Sequence, residues 1–279
     1  MSIKSKQILT DYSVSKEKFE LVYNDAFEMY ETKFTSFDKL DSYYQSADYI
    51  SHTDGTRNWF EKVYQLVKNY TIKSKWNLIK KQTNKQYLKV LDIGCGTGDF
   101  LKYGIDTFSV QGVGVEPNTT ARNLTQNKNV TVKKSIKEIN NDLFDVITLW
   151  HVLEHVTDLN EYFTFFKNHL KEDGILVIAV PNYKSYDAKY YKQYWAAWDV
   201  PRHLWHFSKK SLKKIGIQHQ FKLMHIKPMY FDSFYVSLLS EKYKSNSKNV
   251  LKAFFIGFVS NLYGFFKNEY SSHIYILKK

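Results

Sequence analysis

The stretch Val90-Leu91-Asp92-Ile93-Gly94-Cys95-Gly96-Thr97-Gly98-Asp99-Phe100 decides how the chain is read. The apolar run over 87–93 predicts a buried strand, and the glycines after it predict a turn leading into a helix. Glycines at every second position let the main chain approach a ligand more closely than any side chain would allow. Asp92 falls at the carboxyl end of the strand, where open α/β sheets bind their ligands. The spacing departs from the dinucleotide-binding GxGxxG fingerprint, whose third glycine would come one place later.

Working outward, strands and helices alternate downstream of residue 87, which predicts an α/β fold with a parallel sheet covered on both faces. A second strand over 110–115 ends at Glu116-Pro117-Asn118, with Arg122 on the helix that follows. Residues 130–132 and the apolar run 144–149 read as the third and fourth strands. Val152, Val156, Leu159, Phe163, Phe166 and Leu170 then recur at helical spacing. That helix is expected to stop at Lys171-Glu172-Asp173-Gly174, a basic last turn followed by a glycine. A fifth strand over 175–180 is halted by Pro181. Ser208 reads as a helix N-cap, 221–229 and 274–277 as strands, and 232–244 and 251–266 as inserted helices. Upstream, 57–81 is an amphipathic helix, 19–23 a short strand or hairpin, and 43–52 a tyrosine-dense segment.

Hydrophobic residues make up 43% and aromatics 17% of the 279 residues, too much for a disordered chain. Cys95 is the sole cysteine, so neither an internal disulfide nor a cysteine-built zinc site is available, in keeping with a reducing cytoplasmic setting. Its place inside the turn suits a small residue better than a reactive thiol. The net charge of +12 comes from scattered lysines with only Arg57, Arg122 and Arg202 as arginines. Nucleic-acid readers favour arginine forks, so a nucleic-acid partner is disfavoured. No apolar leader opens the chain.

Glu116 lies 18 residues after Gly98, at a strand end where an acid can accept both hydroxyls of a ribose. Asp92 and Glu116 together suit a ligand that carries positive charge and no phosphate. That chemistry favours S-adenosylmethionine over a dinucleotide.

Motif order extends the comparison. Residues 92–98, Glu116, the segment Phe144-Asp145-Val146-Ile147-Thr148-Leu149-Trp150-His151-Val152-Leu153-Glu154-His155-Val156, and Val180-Pro181-Asn182 follow one another as in class I S-adenosylmethionine-dependent methyltransferases. Pro201-Arg202-His203-Leu204 resembles a motif of a bacterial group close to the ubiquinone-type O-methyltransferases, and the likeness covers nearly the whole chain. It implies a Rossmann-like seven-stranded sheet with an antiparallel last strand. It also implies a methyltransferase domain over 56–279, an N-terminal arm or lid over 1–55, and substrate-side insertions near 183–207 and 232–270. By the same resemblance Asp92 lies near the methionine amine, with Gly94, Cys95, Gly96 and Gly98 along the methionine. Glu116 holds the ribose, Pro117 and Asn118 flank the adenine, and Ser135 stands at its edge where the family often carries an acid. Trp150 and His151 close over the cofactor, and Tyr44, Tyr49 and His52 resemble lid residues.

His151-Val152-Leu153-Glu154-His155 also matches the zinc-peptidase pattern HxxEH. Its position, opening a helix after the fourth strand in methyltransferase order, argues against that reading, and no metal is assigned. Methyl transfer from a sulfonium needs in-line positioning, plus a base when the acceptor is a hydroxyl. His155 and His203 are the candidate bases. Arg202 either meets an acidic substrate or pairs with Asp199, and Tyr183, Trp198 and Trp205 are expected to wall an acceptor pocket. The acid-or-Asn, Pro-Pro, aromatic signature of amino-group methyltransferases is absent after the fourth strand. The acceptor is therefore read as a small-molecule or lipid-like hydroxyl, ahead of RNA or protein. The aromatic helix over 251–266 is read first as a cover for the substrate pocket or a homodimer face, and second as a peripheral membrane contact.

Overall fold

A computed structural model describes residues 6–34, 37–44, 59–245 and 249–279. Seven strands form the main sheet: β4 (Leu88–Ile93), β5 (Val110–Val115), β6 (Thr131–Lys133), β7 (Phe144–Trp150), β8 (Leu170–Pro181), β10 (Lys222–Pro228) and β11 (Ser272–Lys278). Their order is β10-β11-β8-β7-β4-β5-β6, mostly parallel, with the last strand antiparallel as expected. The helices are α1 (Trp59–Thr83), α2 (Asp99–Thr107), α3 (Thr119–Asn127), α4 (Leu159–His169), α5 (Tyr186–Tyr191), α6 (Lys209–Gln218), α7 (Asp232–Ser245) and α8 (Val250–Lys267).

The chain divides into two compact units. One comprises Ser51–Val152, Leu159–Ile178 and Ile276–Lys279 and contains the glycine turn. Its central strands are apolar on both faces, as parallel strands under two helical layers must be. The parallel register sets Asp92 beside Gly114 on β5 and Thr148 on β7. Beside them the Trp76 ring, fully buried, stacks on Phe100 at 4.6 Å and donates its indole N–H to the Phe100 carbonyl at 2.8 Å. Gly104 on α2 makes room for that ring.

The other unit comprises Met1–Ile50, Leu153–Asp158 and Ala179–Tyr275. Here β1 (Gln7–Thr10), β2 (Lys18–Asn24), β3 (Met29–Lys33) and β9 (Trp205–His206) form an antiparallel sheet in the order β1-β2-β3-β9. Leu9, Phe19, Leu21, Tyr191, Trp195, Trp198 and Val200 share its hydrophobic core. The core also holds the buried Asp187 carboxylate, which accepts hydrogen bonds from the Trp195 indole, Ser260 and Ser271, each at 2.7 Å. Those three donors take the place of water around a charge that would otherwise be costly to bury.

Two local expectations fail for identifiable reasons. The helix expected from Val152 begins only at Leu159, because His151 adopts a left-handed φ of 58° and Leu153–His155 makes a single 3-10 turn. The expected helix stop at 171–174 instead lies within β8, which starts at Leu170. Lys171 is drawn to Asp145 at the foot of β7, 3.0 Å away, as is Lys85 at 2.7 Å.

A β-carbon added at Gly104 would sit 2.0 Å from the Trp76 ring. The ring is stacked and hydrogen-bonded, so it cannot yield cheaply. Gly104→Ala is therefore expected to lower the urea-unfolding free energy by about 1–3 kcal/mol, outweighing the helix-propensity gain of alanine. Unchanged or raised stability would contradict this packing account.

Candidate functional site

The turn after β4 is tied to the end of β5: Gly94 and Cys95 both donate to the Val115 carbonyl, at 2.7 and 3.1 Å. Gly94, Gly96 and Gly98 all have positive φ, of 70°, 55° and 77°. A side chain at Gly94 would strike Val152, whereas none of the described residues lies within 4 Å of a β-carbon built on Gly96. The space over Gly96 is open for a ligand to approach the bare main chain.

Glu116 closes the other side of that turn. Its carboxylate accepts the N–H of Gly96 on one oxygen and the N–H of Asn118 on the other, both at 2.9 Å. Burial nevertheless raises its pKa above the usual carboxylate range. Asp92 is more deeply enclosed. Desolvation, assisted by the charge of Glu116, pushes its pKa up to about 7, although Thr148 donates to it at 2.6 Å and Lys75 opposes the shift. A cationic ligand favours the ionised form of both acids and offsets the cost of enclosing their charges. The Cys95 thiol is buried and pushed up by desolvation and by both acids, so it is an inert filler in the space left by Gly114.

Around this pair, Asn118 caps α3 by accepting the N–H of Ala121 at 3.0 Å, next to Pro117. Ser135 precedes the 3-10 turn Ile136–Glu138. Trp150 stands edge-on to Phe100 at 5.5 Å with the Lys75 ammonium 4.2 Å from its ring centre, and its buried indole N–H makes no hydrogen bond among the described residues. His151 is half-buried in the left-handed bend. Sequence reasoning missed three contributors here: Thr148, Lys75, and Thr125, whose hydroxyl donates to the Gly96 carbonyl at 2.8 Å. The Thr148 hydroxyl, alone in an apolar strand, carried a signal. Lys75 carried none.

In the other unit, His155 and His203 meet with ring centres 4.6 Å apart and planes at 79°. Nδ1 of His155 lies 3.0 Å from the Arg202 carbonyl, and Nδ1 of His203 lies 2.9 Å from the Ala197 carbonyl. A carbonyl only accepts, so each Nδ1 carries a hydrogen. Burial, with help from His203, lowers the His155 pKa to about 4 and holds the ring neutral. The Tyr44 hydroxyl is 3.1 Å from the same Nδ1. Ligand-capable atoms of Glu154, His155 and His203 all lie within 4.8 Å of one another, a donor set that zinc or another divalent ion accepts. These residues are not the helical HxxEH arrangement, because His151 is on the bend and Glu154 on a 3-10 turn. Tyr49 and His52 lie outside the described residues.

Arg202 does not present itself to a substrate. It is buried, forms ion pairs with Asp11 at 2.8 Å and Asp199 at 2.7 Å, and donates to the Tyr43 carbonyl at 3.0 Å. The guanidinium is consumed in holding the β1–β2 turn and the 3-10 segment Phe37–Tyr44 to the His203 loop. Tyr183 and Trp198 likewise give their polar atoms to main-chain carbonyls of Glu28 (3.1 Å) and Lys192 (2.8 Å), and Trp198 is part of the core. Trp205 donates to the Val156 carbonyl at 2.6 Å, bracing the turn that carries His155. The aromatic segment is chiefly a scaffold for the histidines.

Residues 56–226 match the family described as a methyltransferase domain. The chain belongs to the class I S-adenosylmethionine-dependent methyltransferases. A ubiquinone biosynthesis O-methyltransferase of Rickettsia prowazekii is 30% identical over 118 residues, 40% of this chain and 44% of that protein. A cyclopropane-fatty-acyl-phospholipid synthase of Escherichia coli is 31% identical over 109 residues, covering 37% of this chain and 28% of the synthase. Both matches thus span less than half of the relative's own length. The structure of Haemonchus contortus phosphoethanolamine N-methyltransferase 2 in complex with S-adenosyl-L-methionine has the same fold, with a TM-score of 0.53 at 16% identity over 96% of this chain and 70% of that one. The residues present fit the family's cofactor: open space over Gly96, the Glu116 carboxylate oriented by two N–H groups, and a buried indole donor at Trp150.

The raised pKa of Asp92 gives a signed expectation. Below pH 7 the carboxyl holds a proton in the ligand-free protein, and a cationic ligand must displace it. Affinity for S-adenosylmethionine should rise roughly five- to tenfold from pH 6 to pH 7.5, with proton release detectable at pH 6 by calorimetry in buffers of different ionisation enthalpy. Asp92→Asn should abolish both effects. Equal affinity at the two pH values with no proton release would refute the assignment of Asp92.

Proposed function

We propose that this protein transfers a methyl group to the hydroxyl of a small-molecule or lipid-like acceptor. The observation that carries the reading is the contact of two histidines whose Nδ1 atoms are each fixed by a main-chain carbonyl, with His155 held neutral by burial and its Nε2 left to accept a proton. S-adenosylmethionine, when bound, supplies a methyl on a positively charged sulfur. Asp92 and Glu116 bind and orient that cationic ligand through charge and hydrogen bonds. A hydroxyl acceptor becomes a competent nucleophile as it loses its proton, and His155 or His203 receives that proton on Nε2. Glu154, buried beside them, favours the imidazolium that results, since its charge raises the His155 pKa.

The similarity to an O-methyltransferase of ubiquinone biosynthesis and to a phospholipid-modifying synthase supports an apolar acceptor. A tritiated-methyl screen against lipid, small-molecule, RNA and protein fractions tests the class: label is expected in the lipid or small-molecule fraction. Label confined to RNA or protein would overturn the reading. With an acceptor in hand, His155→Gln and His203→Gln should each cut kcat by about 10²-fold or more, with S-adenosylmethionine binding unchanged. Activity lost in chelator and restored by magnesium or zinc would reassign the Glu154–His155–His203 cluster to a metal, against the base role.

A further inference from the structure

The helix α8 has two apolar faces, and one of them is largely exposed among the described residues, with Phe254 stacked on Phe234 at its edge. Ala253, Ile256, Gly257, Ser260 and Gly264 are buried along one side. Gly257 lies so close to α7 that an added β-carbon would come 3.0 Å from the Phe234 Cα. The Ser260 hydroxyl donates to the buried Asp187 at 2.7 Å. These contacts fix which face points outward. On that face Leu251 is 86% exposed, Phe265 and Phe266 70%, Phe254 and Phe255 62%, and Phe258 53%. At 100° per residue the six fall within an arc of about 120°, opposite the buried side. Contiguous aromatic surface of this kind marks a partner site on a soluble fold.

Charge selects the partner. In sequence, Lys242, Lys244, Lys248, Lys252 and Lys267 lie in and around α8 against Glu241 and Glu269, and Lys252 pairs with Glu241 at 3.0 Å. With the whole chain at +12, a second copy brings like net charge, whereas an anionic surface attracts it. We propose that the outer face of α8 docks on an anionic phospholipid bilayer, with the helix lying in the plane of the interface and its phenylalanines inserted among the acyl chains. The 18-residue helix is apolar enough by composition to cross a membrane. Crossing would strip Asp187 of the Ser260 donor and part the glycine contacts with α7, so the fold favours lying over spanning. Phenylalanine burial supplies the apolar attraction, and the lysines add a salt-sensitive part.

The inference goes beyond methyl transfer and is tested without it. Purified protein is co-sedimented with vesicles of phosphatidylglycerol and phosphatidylcholine, and with phosphatidylcholine alone, at low and high salt. The expected result is binding to the anionic vesicles that weakens with salt and weakens at least tenfold in Phe255→Ser/Phe258→Ser. Both side chains face outward, so the variant should keep the parent's thermal midpoint and its calorimetric affinity for S-adenosylmethionine. Parent protein that stays in the supernatant with anionic vesicles overturns the proposal. So does a correctly folded variant that sediments like the parent. A parent that elutes as a dimer without lipid, with the variant a monomer, also overturns it, because the face then belongs to a second copy.

Discussion

The Glu116 carboxylate is the constraint around which the cofactor-binding half is arranged. Its two oxygens take the N–H groups of Gly96 and Asn118, so one side chain joins the turn after β4 to the segment after β5. The turn can reach that carboxylate only because Gly94, Gly96 and Gly98 adopt left-handed backbone conformations that other residues resist. Register does the rest. Gly114 beside Asp92 leaves space for Cys95, and Thr148 on the opposite side supplies the hydroxyl that holds the Asp92 carboxyl. Enclosing two acids in one region raises the cost of their charges, and a positively charged ligand offsets it. That electrostatic demand separates a sulfonium site from a phosphate site more sharply than the glycine pattern does.

The histidine half rests on a different interaction. Arg202 is buried between Asp11 and Asp199, and its own carbonyl anchors His155. Burial raises the Asp199 pKa, but His203 and Arg202 more than reverse that, so the acid stays ionised beside the guanidinium. Removing one member of such a buried ion network leaves an uncompensated charge, typically at a cost of several kcal/mol. The network therefore holds the two histidines in place.

Much of this was legible in the residues. The strand, turn and helix around Gly94, the acid at Glu116 and the alternation of strands and helices all follow local pattern or motif order, and His155 and His203 stand out as separate candidate bases, not as a contacting pair. What escaped depends on contacts distant in the chain. Arg202 and Asp199 are three residues apart and could be paired by eye, but Asp11 is 191 residues away from Arg202. The two-residue strand β9 pairs with β3 across a similar distance, so the four-stranded sheet had no local signature. The helix predicted from Val152 failed because apolar spacing does not register a left-handed residue such as His151. The aromatic segment lacked a helical period for a related reason: its rings pack from short turns into one core.

The central claim is that Glu116, oriented by the Gly96 and Asn118 main chain, grips S-adenosylmethionine. Calorimetric titration of the parent and of Glu116→Gln with S-adenosylmethionine at pH 7.5 tests it most directly. Loss of a charged hydrogen-bond acceptor should weaken binding by roughly 10- to 100-fold while the melting temperature stays near that of the parent. An unchanged affinity in Glu116→Gln, or no binding by the parent protein, would contradict the account.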